Sequence, residues 1–407
     1  MPKAVYVLAL GIFAMVTGEF VVAGLMPLMA EGLDASIPQI GYLITAFAAA
    51  MALGGPFLAT VLLRLPHKTA LMILFAVFLA GNVTAALAAD YPTMAAARVV
   101  TGTASAAFFG VALSLIAELT PPEARGKAIG AAMNGLMLGT LLGLPLSTFV
   151  GGQFGWRAAF WAISALTAAA AVATTLAVPR VPRPAPGTEG ATTLREEVRA
   201  FRNPRLWLVF STSTLIIGAT FSAFSYFTPI LTGLTGFAEG TVPWLLVAYG
   251  AATVVGNAVV SRFADRHTLA TQFVGLGLNA LFLTGFAVFA EAAVPTLILM
   301  TGIGLVGVTL NPCMITRVHR TANARPLVNT VHSSFITLGI VIGSWLGGIG
   351  IGAYGLRAPL VLGAVLAVLG LLTLLPDLRR PQAAPPAIRS DDDRSMAGKA
   401  GEVPVGS

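Results

Sequence analysis

The sequence predicts an all-α polytopic membrane protein, with twelve transmembrane helices arranged as two pseudo-symmetric six-helix bundles. Three observations predict it. The 407 residues are 56% hydrophobic and only 10% charged, with a mean hydropathy of +0.85, too little charge to cover a soluble protein of that length. Apolar runs recur twelve times, each long enough to cross a bilayer at ~1.5 Å of rise per residue. Lys and Arg alternate sharply between successive loops, a pattern that follows topology and not a basic nucleic-acid face.

In the first half the runs cover roughly 4–29, 38–62, 69–89, 93–117, 128–150 and 157–178. In the second they cover roughly 206–231, 241–261, 268–290, 293–316, 327–350 and 357–376, each bounded by Pro, Gly or a charge cluster. We number them spans 1 to 12. The first is too long for a signal-peptide core and precedes many others, so it is expected to be retained. Residues 1–178 form the expected N-terminal bundle and 206–376 the C-terminal one. Between them, 179–205 is a Pro- and Arg-rich cytoplasmic linker expected to carry a short amphipathic helix, and 377–407 reads as a disordered cytoplasmic tail.

Placing Lys3 and the tail in the cytoplasm leaves only Arg98, Arg157 and Arg357, of 24 basic residues, elsewhere. Both termini are therefore expected to be cytoplasmic, in the cell inner membrane. A half-repeat supports the six-plus-six plan. "LLRLPHKTALM" (62–72) follows span 2 and "VSRFADRHTLA" (260–270) follows span 8, at equivalent positions of the two halves. The single cysteine, Cys313, excludes an intramolecular disulfide.

Apart from Arg157 and Arg357 at the first positions of spans 6 and 12, Glu19 and Arg98 are the only formal charges inside the twelve runs. A carboxylate at membrane depth costs at least ~2.5 kcal/mol, so it is rarely accidental. Counted from the outer ends, Glu19 lies roughly 15 Å deep and Arg98 roughly 12 Å deep, so the two can share a level. Desolvation disfavours the charged form of a carboxyl group and a nearby guanidinium favours it. Relative movement of two such groups loads and unloads a proton, and Glu19 and Arg98 are the proton-coupling candidates. The alternatives are a structural carboxylate and a snorkelling arginine.

Met15 and Met26 lie four and seven residues from Glu19 on one helical face and suit an irregular apolar ligand or ordinary packing. Phe221, Phe224, Tyr226 and Phe227 in span 7 offer rings to a planar ligand or to the core. His332, with Asn329, is better read as a hydrogen-bonded structural histidine than as a titrating group. Gly135, Gly139 and Gly143 in span 5, echoed by Gly339, Gly343 and Gly347 in span 11, repeat every four residues. They permit close helix approach, and we read both stripes as packing and rocking surfaces. Pro145 is expected to kink span 5.

Four segments carry a family resemblance: "GEFVVAGLMPLMA" in span 1, "RVVTGTASAAFFGVALSLIAELTPPEARGKAIG" (98–130), "GLMLGTLLGLPLSTFVGGQFGWRAAFW" (135–161) and "GATFSAFSYFTPILTGLTGF" (218–237). With them the chain resembles the major facilitator superfamily, specifically its twelve-span drug:proton antiporters, over residues 1 to about 376. Span 7 is similar to that of actinomycete chloramphenicol-resistance exporters. The family's loop between spans 2 and 3 usually reads Gly-x-x-x-Asp-Arg-x-Gly-Arg-Arg. Here Leu63, Pro66 and His67 replace the aspartate, the glycine and one arginine, while Arg64 and Lys68 remain. The second half keeps Asp265 and Arg266. In span 5 the Gly-Pro pair is split as Gly143-Leu144-Pro145. The resemblance implies gating and packing roles for Gly139, Gly143, Pro145, Arg64, Asp265 and Arg266.

Together these readings lead us to expect proton-driven efflux of a small, largely apolar, chloramphenicol-like drug by alternating access, from a single chain in the lipid bilayer. A sugar or metabolite exporter or symporter of the same fold is the nearest alternative. A sensor or channel without uphill transport is the alternative of another class. No Gly-x-x-x-x-Gly-Lys-Ser/Thr loop, His-Glu-x-x-His pair, Gly-x-Ser-x-Gly elbow or ligand-spaced Cys/His cluster occurs. We therefore expect no enzyme activity, no cofactor, no metal and no nucleic-acid partner.

Overall fold

The computed structural model describes residues 3–62, 65–121, 124–179, 199–322 and 326–378. Arg64, most of the linker and the tail lie outside them. Twelve helices are long and apolar enough to cross a membrane. Ten spans are single helices: Lys3–Gly32, Ile37–Leu62, His67–Leu87, Tyr91–Leu119, Arg125–Phe154, Trp156–Ala177, Val242–Ala264, Thr268–Phe289, Pro326–Tyr354 and Ala358–Leu378. Asp90 starts span 4 by accepting from the Thr93 amide at 2.8 Å, and that bond holds its carboxyl below the usual carboxylate range.

Spans 7 and 10 are broken. Span 7 runs as Pro204–Phe224 and Phe227–Gly233. Pro229 has no N–H to offer the Ser225 carbonyl, and the helix turns at Ser225 and Tyr226. Span 10 runs as Ala293–Val306, a 3-10 turn at Val308–Leu310, and Asn311–Ala322. Gly307, at φ −71° and ψ −97°, and Pro312, which cannot donate to Val308, account for that break.

The boundary expected near residue 316 is corrected by this geometry. Hydropathy falls in "NPCMITRVHRTA", but the helix continues and buries Arg317 at 4% exposure. Glu19 and Arg98 are thus not the only charges within the spans. Arg317 Nη1 donates to Thr212 Oγ1 at 3.0 Å, and Thr212 also meets Thr373 at 2.7 Å.

The described residues up to Leu374 form one compact unit. Within this unit, span 1 packs on span 5 and span 7 on span 11, while spans 2 and 3 pack on span 4 and spans 8 and 9 on span 10. The halves meet where span 2 packs on span 11 and span 5 on span 8. Exchanging the halves turns one of these pairs into the other, as duplicated six-helix units require.

Both loop equivalents tie the junction of the second and third helices of a half to its fourth. His67 Nδ1 meets Glu118 Oε2 at 2.8 Å. In the second half Asp265 Oδ1 accepts from Thr316 Oγ1 at 3.3 Å, and the Asp265 carbonyl accepts from Arg320. His67, one of the departures noted above, thus makes the first-half link, whereas Arg266 is exposed.

Candidate substrate and proton site

Span 4 approaches span 2 through Gly102, where a Cβ would lie 2.4 Å from the Phe47 carbonyl. That contact lays the Phe47 ring under Arg98, whose Cζ is 4.1 Å from the ring centroid. Arg98 is 1% exposed. Its Nη1 donates to the Gly18 carbonyl at 2.8 Å and its Nη2 to the Glu19 carbonyl at 3.2 Å. The guanidinium fork therefore grips the main chain of span 1 beside Glu19. Among the described residues no ion pair within 4.0 Å joins the two side chains. Arg98 Nε is buried without a partner.

Glu19 lines a cavity with Phe20, Ala23, Ile44, Phe47 and Ala48 from the first half. Phe221, Phe224, Ser225 and Ile340 close it from the second. About 10 Å³ is open to water centres, room for roughly one water molecule. Its polar groups are the Glu19 carboxyl and the Ser225 hydroxyl, which is buried without a hydrogen-bond partner. The other walls are apolar. Phe20 spans the halves, 5.5 Å edge-on from Phe224 and 6.3 Å from Phe221 between ring centroids. Phe224 in turn stacks on Tyr249 at 5.2 Å, and Phe227 packs on Tyr249 and Phe286.

Of the span 7 rings, Phe221 and Phe224 line the cavity and Phe227 lies one ring behind. Tyr226 points elsewhere, because the break at Ser225 rotates it. Its hydroxyl donates to the Ser344 carbonyl at 2.6 Å, and its ring fills space left by Gly41, Gly347 and Gly348. Met15 and Met26 are fully buried in span 1 and are not cavity walls. His332 Nε2 pairs with Ser213 Oγ at 2.9 Å and stacks on Phe210. Asn329 pairs with His319, not with His332.

The glycine stripes have definite partners. A Cβ at Gly135, Gly139 or Gly143 would meet Ala9, Val16 or Thr17 of span 1. Pro145 sits inside an unbroken helix and leaves the Leu141 carbonyl without its usual amide. That carbonyl faces Gly250 of span 8, where a Cβ would lie 2.9 Å from it. Sequence reasoning missed Phe20, Phe47, Ser225 and Ile340. Pro229, four residues after Ser225, is the one local signal for the span 7 break that brings the Ser225 hydroxyl to the cavity wall.

Residues 8–241 and 213–403 match the Major Facilitator Superfamily. The chain belongs to this superfamily and is a multi-pass membrane transporter. It is 32% identical over 347 residues to a chloramphenicol resistance protein of Streptomyces lividans, covering 85% of this chain and 88% of that one. It is 31% identical over 370 residues to the uncharacterized transporter YtbD of Bacillus subtilis, covering 90% and 92%. In fold it is similar to a bacterial homolog of the human lysosomal transporter Spinster, inward-facing and occupied. That match has a TM-score of 0.74 at 18% identity, over 92% of this chain and 96% of the other. The xylose transporter XylE of Escherichia coli gives 0.71 at 16% identity, over 94% and 98%.

Proposed function

We propose that the protein is a proton-driven exporter of a small, uncharged, largely apolar aromatic drug of the chloramphenicol kind, working by alternating access. The observation that carries this reading is Glu19, a carboxyl in a cavity bounded by both halves, beside an arginine anchored on its own backbone. A ligand pressing on Phe20 and Phe221 would reach Glu19 and Ser225, and little else that is polar. That suits an aromatic ring bearing a few hydrogen-bonding groups better than a sugar, which needs polar partners around its whole rim. The 32% identical chloramphenicol resistance protein supports the same ligand class.

Glu19 and Arg98 act as the proton-coupling pair in this reading. Protonation of Glu19 neutralises it while the drug site faces one side, and return to the other side releases the proton. One charge crossing 100 mV supplies about 2.3 kcal/mol, and one pH unit about 1.36 more. The sum, ~3.7 kcal/mol, sustains a several-hundred-fold gradient of a neutral drug. Residues 1–178 and 206–376 are the two rocking units, with Gly139, Gly143 and Pro145 at the rocking surface and the Asp265 loop as a latch. Both termini lie in the cytoplasm of a cell with this protein in its inner membrane, and one chain suffices.

Expression in a pump-deficient host tests the reading. Tolerance to chloramphenicol should rise, and a protonophore should restore drug accumulation. Unchanged tolerance with the protein present in the membrane sinks the amphenicol assignment. Tolerance insensitive to the protonophore sinks proton coupling.

A further inference from the structure

Spans 9 and 12 leave a groove of about 420 Å³ between them, away from the Glu19 cavity. Its walls on span 12 are Val361, Ala364, Val365, Val368 and Leu369, spaced as one helical stripe about 12 Å long. Thr284, Ala287 and Val288 line the span 9 side. Ala287 and Ala364 are buried and make the floor, because their short side chains leave unfilled the space that larger ones would occupy. Val288, Val361, Val365 and Val368 are exposed along the rim. On a membrane-spanning helix such a face meets lipid.

One turn beyond the groove stands an exposed ion pair. Arg357 Nη2, just before span 12, donates to Glu291 Oε1, just after span 9. The two side chains are 46% and 73% exposed. Arginine has five donors in a planar fork, and Glu291 Oε1 engages one of its nitrogens. The other donors remain for a phosphate, and the second oxygen of Glu291 remains for an ammonium group.

We propose that this groove and ion pair form a binding site for one phospholipid with an ethanolamine headgroup. An acyl chain lies in the Ala287–Ala364 groove, the phosphate takes the free donors of Arg357, and the ammonium donates to Glu291. Charge complementarity selects this headgroup. A glycerol headgroup brings no cation to Glu291, and a choline headgroup brings a cation without N–H donors. A phosphate on a guanidinium is a charge-assisted, bidentate contact, and the chain in the groove exchanges one apolar surface for another, so the headgroup decides retention.

Native mass spectrometry of the purified full-length chain tests this without any transport substrate. The protein is equilibrated with equal amounts of dioleoyl phosphatidylethanolamine, phosphatidylglycerol and phosphatidylcholine. The expected result is one retained phosphatidylethanolamine in preference to the other two. Arg357→Ala should weaken its retention about tenfold, as expected for loss of a hydrogen bond to a charged group. Glu291→Gln should erase the preference over phosphatidylglycerol while total retention persists. Val365→Trp, at an exposed rim position, should block the groove and lower retention of all three lipids. Equal retention of the three lipids by the natural chain overturns the proposal. So does unchanged retention in Val365→Trp, or a dimer joined through Val365→Cys that carries no lipid.

Discussion

Spans 1 and 7 open the two halves and are held by the same device, yet they carry different chemistry. Span 11 meets span 7 backbone to backbone: Cβ atoms at Gly339, Gly343 and Gly347 would lie 2.6, 2.4 and 3.0 Å from the carbonyls of Thr214, Gly218 and Ser222. Span 5 meets the span 1 backbone so closely at Gly135, 2.1 Å from the Ala9 carbonyl, while the closest atom to Gly139 is a side-chain one, Val16 Cβ at 2.7 Å. Span 1 carries Glu19 and receives the Arg98 fork, whereas span 7 supplies rings and a hydroxyl. The difference teaches that the glycine stripes belong to the duplicated scaffold, whereas the Glu19–Arg98 arrangement, the proposed seat of proton coupling, belongs to the first half.

The largest expected effect comes from breaking the chemistry. Arg98→Lys keeps the charge but replaces the planar fork that spans the Gly18 and Glu19 carbonyls. Drug-stimulated proton flux in proteoliposomes should fall about tenfold, the equivalent of one hydrogen bond to a charged group. Unchanged flux would show that Arg98 acts only as a charge.

Breaking the scaffold comes next. Gly343→Ala should destabilise by about 1–3 kcal/mol, as overpacking does, because the Gly218 carbonyl is main chain and cannot swing aside. Gly139→Ala should cost less, since its nearest atom, Val16 Cβ, lies at 2.7 Å and overlaps less than the carbonyl 2.4 Å from Gly343. Thermal unfolding in detergent ranks the two, and a reversed order would contradict the backbone-contact account of span 11.

Tyr226→Phe removes the bond to the Ser344 carbonyl and should cost about 1 kcal/mol. Drug affinity should stay unchanged, because Tyr226 does not line the cavity. The smallest effect sharpens the comparison at the helix starts. Span 4 is capped by Asp90, and span 10 has no side-chain cap at Ala292. Asp90→Ala should lower the melting temperature slightly near neutral pH. Because the folded carboxyl is held below its usual range, that difference should fade as pH falls through it.

Much of the scaffold was legible in the sequence. Twelve apolar runs, the glycine spacing and the membrane-depth carboxyl at Glu19 all follow from composition and periodicity. The breaks were not, since Pro229 and Pro312 lie within runs that hydropathy reads as continuous. The boundary error at Arg317 has the same origin, as an amphipathic last helix resembles a loop by hydropathy alone. The acceptors of Arg98 could not be read either, because a main-chain carbonyl has no residue signature. Tyr226 left the aromatic set for a geometric reason, a two-residue turn that no spacing rule anticipates.

The central claim is that Glu19 carries the coupled proton, and one measurement addresses it directly. Proteoliposomes bearing the natural chain or Glu19→Gln are loaded with labelled chloramphenicol and assayed twice, for accumulation driven by an imposed pH gradient and for exchange at equal drug and equal pH. The natural chain should do both. Glu19→Gln should lose gradient-driven accumulation while keeping exchange, because the amide preserves the cavity's shape but cannot carry the proton. Gradient-driven accumulation at the natural rate in Glu19→Gln would contradict the account.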